Sequence, residues 1–198
     1  MRTLLCDVGG VLVENPWVRT SKEIGRKVGA DQAEVFKLLD QLSRRLDSGE
    51  FSLPQFHRAL VGELGADYPR SEFTALLKSS LRRIQPVWDA VQSLAESKDL
   101  QVVALSNMSR EVWEYLQDKF GICALFDSVV LSFELGVLKP DHAIYRLALE
   151  QARAPAGECT FVDDTLTNVE AAASIGIRPY LATLPSETAR FIRSLGAC

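Results

Sequence analysis

The sequence predicts an α/β protein with a parallel sheet covered on both faces and an all-helical insert between its first two strands. Three observations carry this expectation. Short apolar runs recur along the chain, and several stop at polar or glycine pairs. Helical patterns alternate with the later runs, as they do when helices cover both faces of a parallel sheet. The interval from about residue 15 to about residue 85 instead holds helical stripes and no convincing strand.

Thr3 to Asp7 is an apolar run ending at Gly9-Gly10, which reads as a buried strand feeding a tight loop. Gln101 to Leu105 is the second run, closed by Ser106-Asn107, and Ser128 to Leu131 is the third. Cys159 to Val162 is the fourth, closed by Asp163-Asp164, and Pro179 to Ala182 is a weaker fifth. Between them, Ser109 is placed to cap a helix through Phe120, and Asp141 one that carries Ile144, Leu147 and Ala148. Thr167 caps another, running to Ile175 and stopped by Gly176.

Within the insert, Asp31 starts a helix with Val35, Leu38, Leu39, Leu42 and Leu46 on its core-facing side. Ser52 precedes Leu53-Pro54, a helix opening after which Phe56, Leu60 and Leu64 share a face. Ser71-Glu72 begins a third helix with Phe73, Leu76, Leu77 and Leu81, and Pro86 marks the exit. The expected organisation is an α/β core of residues 1–14 and 86–198, with a helical cap over 15–85. No internal repeat or low-complexity tract is present.

Composition narrows the function classes. A chain of 198 residues is long enough for one core plus a modest lid. With 47% apolar and 24% charged residues it reads as a soluble globular protein. The net charge of -4 argues against a nucleic-acid partner, which would need a basic face. Arg44-Arg45 and Arg82-Arg83 read as solvated helix faces. No stretch has the length of a membrane span, and no secretion signal is visible, since Asp7 interrupts the first apolar run. Cys6, Cys123, Cys159 and Cys198 form no C-x-x-C pair, so a reduced, cytoplasmic location is the default. Cys6 and Cys159 read as small buried hydrophobes.

Open parallel sheets bind ligands at the carboxyl edge, where loops and helix N-termini converge. Asp7, Ser106-Asn107, Lys139 and Asp163-Asp164 all fall there. Each is weak alone: a Ser-Asn after a strand is usually a turn, and a Lys before Pro usually lies on the surface. Together their chemistry is specific. A carboxylate can attack phosphorus and form an acyl phosphate, splitting hydrolysis into two steps. That attack brings one anion toward another, so positive charge is required. Magnesium held by carboxylates and a backbone carbonyl supplies part of it, and Lys139 supplies more. Donors at Ser106 and Asn107 can hold the phosphoryl oxygens, while Gly9 and Gly10 let the backbone approach a phosphate closely.

Asp7-Val8-Gly9-Gly10-Val11-Leu12, Ser106-Asn107, Lys139-Pro140 and Asp163-Asp164 resemble, in order, the four motifs of the haloacid dehalogenase (HAD) superfamily. Gly136-Val-Leu-Lys139-Pro140-Asp-His-Ala-Ile-Tyr145 is similar to the segment around that family's motif-three lysine, and Phe161-Val-Asp-Asp-Thr-Leu-Thr-Asn168 to its acidic motif four. The resemblance implies a three-layer Rossmann-like parallel sheet with an inserted small helical cap, and a phosphatase-type hydrolase. It further implies Asp7 as nucleophile and magnesium ligand, Gly9 as a carbonyl ligand and Asp164 as a direct ligand, with Asp163 bound directly or at one remove. Gly10, Ser106 and Asn107 would bind the transferring phosphoryl group, and Lys139 would orient and neutralise it. Asn168 would brace the acidic loop. The implied partner is a small phosphorylated molecule; the sequence defines no oligomeric state.

The pattern departs from the family at Gly9. Most of the family's phosphatases carry there a second Asp, which protonates the leaving group. Three readings follow. Some family phosphatases resemble this chain in having Gly there and act on sugar phosphates. A 2-haloacid dehalogenase also lacks that Asp, because halide leaves without a proton, but it has no need of Asp163-Asp164 for metal. A non-catalytic module would keep the pocket for phosphate or metal binding alone. A cap residue could replace the acid; Glu14 is a candidate, though its position reads better as a solvated loop. His57 and His142 stand apart from any ligand cluster and read as helix-surface residues. Trp88 and Trp113 read as packing, and Phe51 and Phe56 as cap core. Trp17, just after the first motif, is the aromatic nominated for substrate contact.

Overall fold

Strands buried on both faces need apolar side chains at every position, and the first strand is Thr-Leu-Leu-Cys with every residue buried. Leu4 and Cys6 join the core on one face of the sheet, and Leu5 joins the core on the other. The computed structural model describes residues 2–97 and 100–196. In chain order the elements are β1 (Thr3–Cys6), α1 (Pro16–Val28), α2 (Gln32–Asp47), α3 (Leu53–Leu64), α4 (Arg70–Ser80) and α5 (Gln85–Ser97). There follow β2 (Gln101–Ser106), α6 (Arg110–Phe120), β3 (Ser128–Leu131), the short α7 (Ser132–Leu135) and α8 (His142–Ala152). The chain finishes with β4 (Cys159–Asp163), α9 (Leu166–Ser174), β5 (Arg178–Leu181) and α10 (Pro185–Gly196).

The five strands form one parallel sheet in the order β3-β2-β1-β4-β5. Helices α5 and α10 pack together, α5 also against β2, while α8 and α9 cover the opposite core. The architecture is the α/β, three-layer parallel sheet expected from the sequence. The chain runs outward from β1 through β2 to β3, then returns to β4 beside β1. The loops after β1, β2 and β4 therefore open side by side at the carboxyl edge, where such sheets hold ligands.

Helices α1–α4 form the insert after β1. Trp17, Phe56 and Phe73 stack through it, with ring centroids 5.4 and 5.7 Å apart. Asp31 caps α2 by accepting from the amides of Ala33 and Glu34. At the start of α3 the Gln55 side chain accepts from the Ser52 amide and hydroxyl, and the Glu111 carboxylate accepts from the Leu53 amide. That last bond ties the insert to α6 of the sheet layer.

Local differences from the sequence expectations have physical causes. Helix α1 is faint in the sequence because its apolar stripe is sparse: Thr20, Ser21 and Gly25 fill the buried side between Trp17 and Ile24. Helix α9 begins after Thr165 rather than Thr167. The Thr165 amide donates to Asp163 Oδ1 at 2.8 Å, which starts the helix one half-turn early. Pro86 lies inside the first turn of α5, a position a helix tolerates because that amide needs no partner. Phe56 is fully buried within the insert, and Phe51 is half-buried, packed against the same core beneath the Arg45 guanidinium. His57 is not a surface residue: it is half-buried, with Nε2 2.7 Å from the Tyr68 carbonyl oxygen. Cys6 and Cys159 are buried and Cys123 is exposed; Cys198 lies outside the described residues. No helix among the described residues is long and apolar enough to cross a membrane.

Candidate active site

Asp7 directly follows β1, and its amide still donates to the Val162 carbonyl at 2.9 Å, so the sheet itself fixes its backbone. Its Oδ1 accepts from the Val8 amide at 2.7 Å and the Ser106 hydroxyl at 2.8 Å, and lies 2.9 Å from Lys139 Nζ. Among the described residues every such contact goes to Oδ1, which leaves Oδ2 open. Ser106 ends β2 and is fully buried.

Lys139 comes from the loop between α7 and α8. Asn107 holds that loop from β2: its Nδ2 donates to the Lys139 carbonyl at 3.0 Å, and its Oδ1 accepts from the Lys139 amide at 2.8 Å. The buried ammonium also donates to the Leu105 carbonyl at 3.0 Å and to Asp163 Oδ2 at 2.6 Å. Asp163 ends β4 and is wholly buried. It accepts from Asn168 Nδ2 at 3.1 Å on both oxygens, so Asn168 does brace the acidic loop. Asn168 is itself held by Tyr145, whose hydroxyl donates to the Asn168 carbonyl at 2.9 Å.

Asp164, by contrast, is exposed and lies across the loop after β1. Gly10 makes this possible: its φ is +79°, and a Cβ there would run into the Asp164 carboxylate. Gly9 borders the same cavity, and among the described residues its carbonyl accepts no hydrogen bond.

The charge balance explains what the cluster lacks. Burial pushes the Asp7 carboxyl above the usual carboxylate range; Asp163 and Asp164 push it the same way, and Lys139 opposes them. Partial desolvation by the surrounding loops, then the Asp163 charge, likewise raises Asp164. Burial alone would lower Lys139, but Asp163 and Asp7 outweigh it and hold the ammonium charged. One fixed cation thus faces three carboxylates. Asp7, Asp163 and Asp164 each offer an oxygen within 4.8 Å of the others. An all-oxygen, anion-rich donor set of this kind fits a small hard divalent cation.

The site opens into a cavity of about 330 Å³. Its floor includes Asp7, Gly9, Lys139 and Asp164, and its roof includes Trp17 and a polar face of α2 made by Asp40, Ser43, Arg44 and Asp47. Trp17, the aromatic nominated for substrate contact, is among the residues that line the cavity. Arg44 is not merely a solvated residue, whereas its neighbour Arg45 pairs with Glu50. Glu14 is exposed and absent from the lining, and its amide is tied to the Arg82 carbonyl.

Asp47 was not nominated by the sequence. Burial, followed by the Asp40 charge, pushes its carboxyl up to about 7 against the opposing Lys139. A carboxyl raised on folding contributes stability below its unfolded value of 3.8 and loses it as pH climbs through about 7. Asp47→Asn is therefore expected to gain stability relative to the parent across that interval, by up to about 1.4 kcal/mol per pH unit. Paired thermal melts in chelator check this.

The chain belongs to the haloacid dehalogenase-like hydrolase family, which it matches over residues 1–176. It is 28% identical over 199 residues to the drimenol cyclase drtB of Aspergillus calidoustus, covering 98% of this chain but only 36% of that protein. It is 27% identical over 203 residues to the sesquiterpene phosphatase astK of Aspergillus oryzae, covering 100% of this chain and 97% of the relative. Among solved structures, an HAD family enzyme from Bacteroides thetaiotaomicron superposes with a TM-score of 0.80 at 23% identity, over 98% of both chains. The same enzyme bound to magnesium and inorganic phosphate gives 0.74 at 24% identity, over 92% of this chain and 94% of that one. The L-2-haloacid dehalogenase of Xanthobacter autotrophicus gives 0.68 at 18% identity, over 94% and 80%.

Proposed function

We propose that the chain is a magnesium-dependent phosphatase of small phosphorylated metabolites, of the sugar phosphate type, working through an aspartyl-phosphate on Asp7. The observation that carries this reading is the Asp7 carboxylate, with Oδ1 engaged by Ser106, Lys139 and the Val8 amide and Oδ2 left open beside the cavity. Oδ2 attacks phosphorus, the ester P–O bond breaks, and the leaving oxygen takes up a proton, restored later from the attacking water, to depart as the alcohol. Water then attacks the same phosphorus, and the bond to Asp7 breaks to release inorganic phosphate. Lys139 and Ser106 keep the nucleophile oriented, and Asn107 lines the cavity that takes the phosphoryl group, whereas Gly10 lies outside that lining with its amide given to the Val13 carbonyl at 2.7 Å. Asp7, the Gly9 carbonyl and Asp164 would hold magnesium, with Asp163 as a direct or more distant partner. When bound, the ion offsets the negative charge that gathers as carboxylate and phosphate meet.

The A. oryzae phosphatase and the magnesium–phosphate complex of the Bacteroides enzyme support this reading. The lining supports a small polar substrate over a terpenyl chain, since Asp40, Ser43, Arg44 and Asp47 face the cavity. The helical insert over residues 15–85 acts as the cap that selects it. The 2-haloacid dehalogenase reading is favoured by Gly9 and disfavoured by the acidic cluster.

Asp163 and Asp164 then separate by role. Asp164→Asn is expected to weaken magnesium binding at least about tenfold with little change in stability. Asp163→Asn strips a buried partner from Lys139 and is expected to cost about 3 kcal/mol or more. Magnesium titration calorimetry and urea unfolding check the pair. The function is tested with a panel of phosphoesters and 2-haloacids, with magnesium or excess chelator. Phosphoester turnover only with magnesium is expected. Haloacid turnover in chelator would establish the dehalogenase instead, and magnesium binding without any turnover would leave a regulatory module.

A further inference from the structure

We propose that Asp47, contributed by the helical insert, is the catalytic proton donor of this site, standing in for the acid whose place Gly9 occupies. The inference rests on the phosphatase reading above.

An alkyl leaving group departing as an alkoxide is a poor one, so a proton must reach the ester oxygen as the bond breaks. Position 9 has no side chain to give it. Outside the acidic cluster around Asp7, the carboxyls that line the cavity are Asp40 and Asp47. Asp40 is exposed, two turns up α2, while Asp47 is half-buried at the helix end.

That end is fixed to the sheet layer. The Ser132 hydroxyl donates to the Asp47 carbonyl at 2.6 Å and accepts from the Met108 amide at 3.0 Å, immediately beyond Ser106-Asn107. Gly49, with φ +77°, then turns the chain so tightly against α7 that a Cβ would sit 2.8 Å from the Phe133 carbonyl oxygen. Asp47 thus belongs to the insert in sequence but is anchored to the loop that holds the nucleophile's partners. Among the described residues no donor hydrogen-bonds its carboxyl group, although the backbone around it is tied down.

The electrostatics suit a donor. Burial and Asp40 push the Asp47 carboxyl up to about 7, so a protonated fraction persists near neutrality. The charged groups around it are Asp40 and Arg44 on α2, Lys139 from the α7–α8 loop, and Asp7 and Asp164 across the cavity. Glu50, Arg110 and Glu111 line a separate groove behind the helix end, and Glu134 of α7 is exposed.

The step balances. As the Asp7 Oδ2–P bond forms and the ester P–O bond breaks, the Asp47 proton passes to the ester oxygen and the alcohol leaves neutral. Asp47, now a carboxylate, takes a proton from the water that attacks the aspartyl-phosphate, and the starting state returns.

The test compares glycerol 1-phosphate, which needs a proton donor, with p-nitrophenyl phosphate, which needs one far less. Asp47→Asn in the full-length chain is expected to lower the alkyl-to-aryl ratio of kcat/KM by about 10²-fold or more. An equal loss on both esters makes Asp47 merely structural and overturns the assignment. Should the variant fail to fold, the unmodified protein decides. Its alkyl-to-aryl ratio is expected to fall as pH rises through about 7, and a ratio flat with pH overturns the proposal. Turnover of the aryl ester alone also overturns it while leaving the phosphatase reading intact. No turnover of either ester overturns the phosphatase reading itself.

Discussion

Asp7→Asn is expected to leave a folded protein whose turnover of any phosphoester falls on the order of 10⁵-fold or more, the scale on which single catalytic groups fail. The amide keeps the shape of the carboxyl group, and its oxygen can still accept from the Ser106 hydroxyl and the Val8 amide. What disappears is the open anionic oxygen. Stability should hold or rise in chelator, because one buried carboxylate in an anion-rich cluster has been neutralised while Lys139 keeps Asp163. Steady-state kinetics and urea midpoints measured together distinguish this from unfolding. Undiminished activity on an aryl phosphate would exclude Asp7 as nucleophile.

Lys139→Ala carries the second large effect, and here stability and activity fall together. The ammonium is almost wholly buried and bridges Asp7, Asp163 and the Leu105 carbonyl. Removing it strands two buried carboxyl groups without their cation, a loss of about 3–5 kcal/mol for a broken buried pair. Activity should fall by about 10² or more, since positive charge fixed beside the reacting groups is lost. Magnesium should recover part of the stability, because it supplies charge to the same carboxylates, but not the activity. Unfolding with and without magnesium reads this out, and a variant within about 1 kcal/mol of the parent would contradict the bridging role.

The floor of the site was legible because it is local. Asp7, Ser106 and Asp163 each end or follow an apolar run, so the strand that buries them also announces them. Lys139 was legible through its motif. The roof was not. Asp40, Ser43, Arg44 and Asp47 recur at the spacing of one helix face, which in sequence looks like any solvated side of an amphipathic helix. That this face meets a cavity depends on contacts far apart in the chain, such as Ser132 with the Asp47 carbonyl, 85 residues away. Glu14, near the first motif in sequence, is exposed outside the cavity, as its reading as a solvated loop residue expects. The edge strand β5 was faint because it is only partly buried, and Arg178–Leu181 therefore lacks the unbroken apolar pattern of β1.

The nucleophile assignment is reached most directly by stopping the reaction partway. Protein mixed with magnesium and a phosphorus-labelled aryl phosphate is quenched in acid within the first turnover, digested, and its peptides are weighed. Label is expected on the peptide containing Asp7 and absent from the Asp7→Asn variant. Label on a peptide that lacks Asp7, or hydrolysis that proceeds with no labelled peptide at any time point, would contradict the assignment.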